Sequence, residues 1–212
     1  MPSRSQNRKQ FETQAARASS WRGIDRLEVR ERFLIVCEGA KTEPLYFEGF
    51  RVPGRVLEIK GIGQNTLSLV AKAVQLRQTA GADNYDQCWC VFDRDSFPAE
   101  DFNSAIAKAE ASGFQVAYTN EAFELWYLLH FDDHRSALSR VQYGPMLSDR
   151  LGHAYKKNSE SLYRELEAYQ IQAIERAEHL LLEYAAEHNP QADNPCTTVH
   201  LLVRELRKSA GP

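Results

Sequence analysis

The 212-residue chain has no apolar run near the ~20 residues that a membrane helix requires, so no membrane-spanning helix is expected. Its first residues are polar and hold no apolar secretion core, which points to the cytoplasm. Cysteine is scarce. Of Cys37, Cys88, Cys90 and Cys196, only Cys88-Trp89-Cys90 forms a close pair, and it lacks the two-residue gap of a zinc knuckle. All four are expected to be buried thiols. There is no surplus of positive charge either: 26 Lys and Arg stand against 29 Asp and Glu, for a net −3. That argues against a generally basic nucleic-acid coat but leaves room for a local basic groove. No internal repeat or low-complexity tract is present. What remains is 43% hydrophobic and 26% charged, the balance of a soluble globular protein large enough for one substantial domain with an appendage.

Residues 1–30 read as a polar, basic leader, with Arg4, Arg8, Lys9, Arg17, Arg22, Arg26 and Arg30 against three acids, and with Trp21 its one docking candidate. Residues 31–131 then alternate strand and helix patterns. Phe33–Cys37 is a continuous apolar run suited to a strand buried on both faces. It ends at Glu38-Gly39, where Thr42 is a candidate N-cap for a helix to about Phe50. Strands follow at 56–60, 88–92 and 114–118, with helices from 66 and from 99 to 112. This alternation predicts an α/β fold, a parallel sheet flanked by helices. Residues 122–130 are apolar nearly all round, as in a buried helix. The remainder, 132–212, reads as a helical C-terminal appendage packed on the sheet: loop-rich to 157, helical over 159–187, and ending in a helix over 197–206.

The chemistry centres on Phe92-Asp93-Arg94-Asp95-Ser96. Two carboxylates two positions apart at a strand end point the same way and repel, unless a cation lies between them. A hard divalent ion such as Mg²⁺ suits that arrangement; a turn rich in Asp and Ser is the plainer alternative. Glu38 also falls beyond the carboxyl end of a strand, where doubly wound sheets collect functional groups. Alone, it fits a solvated loop acid equally well. Glu124 is acidic in an otherwise apolar helix and needs a compensating partner, whether a core cation or a metal. Lys41 in the glycine turn is placed for a phosphate contact. Arg94 points away from its flanking aspartates, and His130 reads as a hydrogen-bonded core residue.

Glu-Gly at one strand end and Asp-x-Asp at another resemble the Toprim domain, the metal-binding unit of topoisomerases, primases and a set of nucleases. Val36-Cys37-Glu38-Gly39-Ala40-Lys41-Thr42-Glu43, Phe92-Asp93-Arg94-Asp95, Phe123-Glu124-Leu125-Trp126 and Asn194-Pro195-Cys196-Thr197-Thr198-Val199 resemble the RloB family more closely. One departure is Asn120-Glu121, where that family has Asn-Pro. The resemblance implies a Toprim-like, Rossmann-like sheet and a nuclease acting on DNA or RNA, transfer RNA included, in anti-phage defence with an ATPase partner. It implies Mg²⁺ or Mn²⁺ held by Asp93 and Asp95, with Glu38 a further ligand or the general base, and Glu124 a second-metal or substrate-facing group. Lys156 or Lys157 would then stabilise leaving-group charge, Lys157 and Lys41 also meeting substrate. Two other readings fit the same residues. One is a catalytically silent Toprim-like module that binds a nucleotide or partner; the other is a haloacid-dehalogenase-type phosphatase with Asp93 as nucleophile.

Overall fold

The apolar run that opens the described part of the chain is fully enclosed: Phe33, Leu34, Ile35, Val36 and Cys37 all have no exposed surface. In this computed structural model, residues 31–63, 66–94 and 99–208 are described, and they fall in one unit. The basic leader over 1–30, Trp21 included, and Asp95 lie outside the described residues. Strand β1 (Glu31–Cys37) pairs in parallel with β2 (Arg55–Gly61) on one side and β3 (Gln87–Asp93) on the other. Strand β4 (Gln115–Asn120) continues the sheet in parallel, and a two-residue strand β5 (Cys196–Thr197) closes it antiparallel, giving the order β2-β1-β3-β4-β5.

Side-chain alternation along buried strands sends successive residues to opposite faces and builds two cores. On one face Leu34, Val36, Cys90 and Phe92 pack with Leu69, Val70 and Ala73 of helix α2 (Thr66–Ala80). Phe102, Ala105 and Ala109 of α3 (Ala99–Ala111) complete that core. The other face carries Phe33, Ile35, Trp89 and Val91, covered by α1 (Thr42–Glu48), α4 (Glu124–Leu128) and the C-terminal helices. The protein is thus an α/β fold of Rossmann-like type, a mostly parallel sheet with helices on both faces.

The C-terminal helices are α5 (Arg140–Leu151), α6 (Leu162–Leu166), α7 (Gln170–Tyr184) and α8 (Val199–Arg207). Leu162, Leu166, Ala173, Ala177, Leu202 and Val203 join the same core as Phe33 and Trp89. Helix α8 is tied to the sheet at its end, where the buried Arg55 guanidinium donates to the Glu205 and Leu206 carbonyls at 2.7 and 3.0 Å. A cation there satisfies terminal carbonyls and complements the helix dipole.

Several local expectations are corrected. Thr42 is the first helical residue and not the cap, a place taken by Lys41. The stretch expected to be loop-rich holds α5, which Pro145 enters in its second turn without ending it. The single helix expected over 159–187 is divided by a 3-10 turn at Glu167–Tyr169 between α6 and α7. Strand β5 is too short to leave a period-2 signature.

His130 is buried among Trp126 and Tyr46, and its Nδ1–H donates to the Trp126 carbonyl at 2.9 Å. Burial pushes its pKa down to about 4, and burial does the same to His200 in α8. The unfolded chain takes up these protons near 6.5 while the folded protein resists, so stability present above pH 6.5 is lost as pH falls towards 4. Urea unfolding at pH 7.5 and pH 5 is expected to show this loss, at most about 2 kcal/mol per histidine. It is expected to be smaller in His130→Gln.

Candidate functional site

The strand order reverses between β1 and β3, where the chain runs from β1 out to β2 and then back across to β3. Open α/β sheets bind ligands at such a switch point, beyond the carboxyl ends of the strands. Backbone bonds define the place. The Glu38 N–H donates to Val91 O at 2.8 Å, and the Glu38 carbonyl accepts from Gly63 N–H at 2.7 Å. The Asp93 N–H donates to Glu38 Oε2 at 3.2 Å, so Glu38 and Asp93, two of the three acids expected to share an ion, are neighbours at this edge.

Asp93 follows Trp89 and Val91 in the alternation and turns towards the face bearing α1 and α4. Those helices are joined by an aromatic cluster. The Tyr46 ring meets Phe123, Trp126 and Tyr127 at 5.9, 6.3 and 5.6 Å, and the Tyr127 hydroxyl donates to the Thr42 carbonyl at 3.3 Å. This packing draws Glu43, in the first turn of α1, and Glu124, the first residue of α4, to the same edge as Asp93. Relative exposures are 5% for Glu43, 8% for Asp93 and 5% for Glu124. The turn passes close beside them: a Cβ on Gly39 would lie 2.0 Å from Glu43 Oε2, so any side chain there would displace that carboxylate.

Burial beside other carboxylates opposes the ionisation of Asp93 and Glu43. Burial raises the Asp93 pKa well above its ordinary value, with Glu43 and Glu124 adding to the rise and Arg140 countering it. Burial also raises Glu43, reinforced by Glu124 and offset by its own backbone N–H and by Lys157. Each acid keeps one buried oxygen with no hydrogen-bond partner: Glu43 Oε2, Asp93 Oδ1 and Glu124 Oε2. The opposite oxygens of two of them meet cations. Asp93 Oδ2 lies 3.8 Å from an Arg140 nitrogen, and Glu124 Oε1 lies 3.4 Å from Lys157 Nζ and accepts from the Tyr155 hydroxyl at 3.3 Å.

Above them lies a cleft of about 400 Å³, lined by Glu38, Gly39, Lys41, Glu43, Asp93, Arg140, Lys157 and Asn158, among others. Glu38, Asp93, Lys41 and Lys157 of the expected site residues therefore share one cleft, with Glu124 joined to it through Lys157. Lys156 does not line it; it borders a separate cavity of about 170 Å³ beside His153 and Ser159. Asp95 lies outside the described residues. Glu43 and Arg140 are the additions. Glu43 reads from sequence as an ordinary first-turn acid. Arg140 sits in the stretch expected to be loop-rich, although Ser139-x-x-Gln142 is a capping-box pattern and the Ser139 N–H does donate to Gln142 Oε1 at 2.8 Å.

The sequence profile described as RloB-like protein matches residues 33–206, most of the chain. The chain belongs to the RloB-like family. The match takes in every element from β1 to α8 and all the acids and cations of the cleft. No curated protein and no solved structure matches this RloB-like chain.

The donor set fits a hard divalent cation in kind, since three buried carboxylate oxygens without partners are what such an ion would satisfy. Among the described residues no three His, Cys, Asp or Glu already stand together at coordinating distance, so an ion would have to draw them in. Their repulsion gives a test without any ion. The unfolded chain loses the Glu43 proton near pH 4.3, whereas the folded protein holds it to higher pH, so stability declines as pH climbs from there through the raised folded value. Glu43→Gln is expected to raise the melting temperature in EDTA, by on the order of 1 kcal/mol in stability. The gain is expected to be larger at pH 8 than at pH 5, as read by thermal melts at both.

Proposed function

We propose that this RloB-like protein cleaves phosphodiester bonds in nucleic acid with a divalent ion, Mg²⁺ or Mn²⁺, held at the carboxyl edge of β1 and β3. One observation carries the reading: Glu43, Asp93 and Glu124 are buried together with one unpartnered oxygen each, at the switch point of the sheet. A cluster like that is costly to keep for structure alone, because apolar side chains would fill the same space without repulsion. Family membership supports it further, through the resemblance of Glu38-Gly39 and Asp93-Arg94-Asp95 to the Toprim metal-binding pattern.

In this reading Asp93 holds the ion with Glu43 and Glu124, and Asp95 follows Asp93 by two residues in the chain. When bound, the ion would polarise the phosphodiester and lower the cost of charge on its oxygens. Glu38 takes a different task. It is half-buried, accepts the Asp93 N–H and faces the cleft, which suits it to receive the proton of the attacking water. Lys41, exposed in the turn, and Arg140, beside Asp93, are the cations that incoming phosphates meet at the mouth. The role in phage defence and the ATPase partner follow from the resemblance alone and belong to the same proposal.

The test is incubation of the full chain with DNA and RNA pools in Mg²⁺, Mn²⁺ or EDTA, beside a Glu38→Ala, Asp93→Ala double variant. Cleavage is expected with either ion, and a loss of at least about 100-fold in EDTA or in the double variant. Cleavage that survives both would overturn the proposal. Phosphate trapped on Asp93 would favour the phosphatase reading instead.

A further inference from the structure

The segment between α5 and α6 crosses the carboxylate cluster as a strap. It leaves α5 through Gly152, whose left-handed φ of 73° turns the chain back. The Tyr155 N–H donates to Ser148 Oγ at 2.9 Å, and Thr42 Oγ1 donates to Asn158 Oδ1 at 3.3 Å, so the strap is moored to α5 at one end and to α1 at the other. Between these moorings two side chains reach down, and both reach the same atom. Tyr155 Oη donates to Glu124 Oε1 at 3.3 Å, and Lys157 Nζ lies 3.4 Å from that oxygen. Glu124 Oε2 receives nothing.

That one-sidedness matters because the terminal torsion of a glutamate is broad and two-fold, so its oxygens are interchangeable until something holds one of them. We propose that Tyr155 and Lys157 are positioning residues: together they hold Glu124 Oε1 on the strap side and leave Oε2 turned to the divalent ion. The assignment rests on the metal reading given above, and it takes Lys157 from the substrate phosphate to the carboxylate. The two prongs differ in what they do to an ion. The phenol is neutral, and its ring packs against Tyr127 at 6.4 Å, so it orients Glu124 without opposing a cation. The ammonium orients Glu124 but also adds a positive charge beside the site. It offsets the repulsion of the acids when no ion is bound and competes with an ion that arrives. With its side chain 52% exposed, Lys157 can give up that place to solvent.

Opposite signs are therefore expected from two substitutions at one oxygen. Mn²⁺ binding to the full chain, read by electron paramagnetic resonance of the free ion, is expected to weaken about 10-fold in Tyr155→Phe. It is expected to tighten severalfold in Lys157→Met, whose melting temperature in EDTA falls while that of Tyr155→Phe stays near wild type. In a Glu124→Gln background Tyr155→Phe is expected to cost nothing further, since it acts through the glutamate; an equal loss in both backgrounds overturns that route. Wild-type uptake of Mn²⁺ with Tyr155→Phe unchanged, or with Lys157→Met weakened, overturns the positioning assignment alone. A wild-type chain that takes up no Mn²⁺ overturns the metal reading and this assignment with it.

Discussion

Mutual repulsion among Glu43, Asp93 and Glu124 is the constraint around which this end of the molecule is organised. None of the three is accessible enough for water to screen it well, and each leaves an oxygen unanswered. Buried charge of one sign persists only where the surroundings over-determine it. Here they do so with apolar packing. The Tyr46 cluster fixes α1 against α4, the β1–β3 ladder fixes Glu38 against Asp93, and the strap brings Tyr155 and Lys157 to the remaining side. The aromatic content near the sheet is thus accounted for by the repelling acids it holds together as much as by what it buries.

The site draws on segments far apart in the chain. Glu38 and Glu43 come from the turn after β1, Asp93 from β3, Glu124 from α4, Arg140 from α5 and Lys157 from the strap. The sheet edge and the turn after β1 supply Glu38, Lys41, Glu43 and Asp93, and α4 supplies Glu124; Arg140 and Lys157 arrive only when the C-terminal helices dock. Those helices share one core with the sheet, so the layer that completes the fold also completes the cleft.

Much of this was legible in the sequence because the signals were strong ones. Phe33–Cys37 and Cys88–Phe92 could only be strands buried on both faces, and once β1 and β3 were placed, Glu38 and Asp93 had to fall at their carboxyl ends. Glu124 was conspicuous as an acid among Phe123, Leu125 and Trp126. The residues that were missed had weak local signals. Glu43 looks like any acid in a first helical turn, and only the fold of α1 against α4 buries it. Helix α5 was hidden by Gly144 and Pro145, which discount helix propensity, Pro145 lying past the first turn where a proline is tolerated. The choice between Lys156 and Lys157 is a matter of which way two adjacent side chains leave an irregular strap, and no periodicity encodes that.

Gly39 carries one more consequence. It is not among the glycines with a left-handed backbone, so its conformation alone would admit alanine. What meets a side chain there is the Glu43 carboxylate, folded back over the turn into the volume a methyl group would take. The two positions are therefore sterically coupled: a chain that dispensed with the glutamate would be free to fill position 39, and one that filled position 39 first would have to swing the carboxylate out of its place in the cluster. Paired variation at these sites is the expected mark of that coupling in any set of relatives.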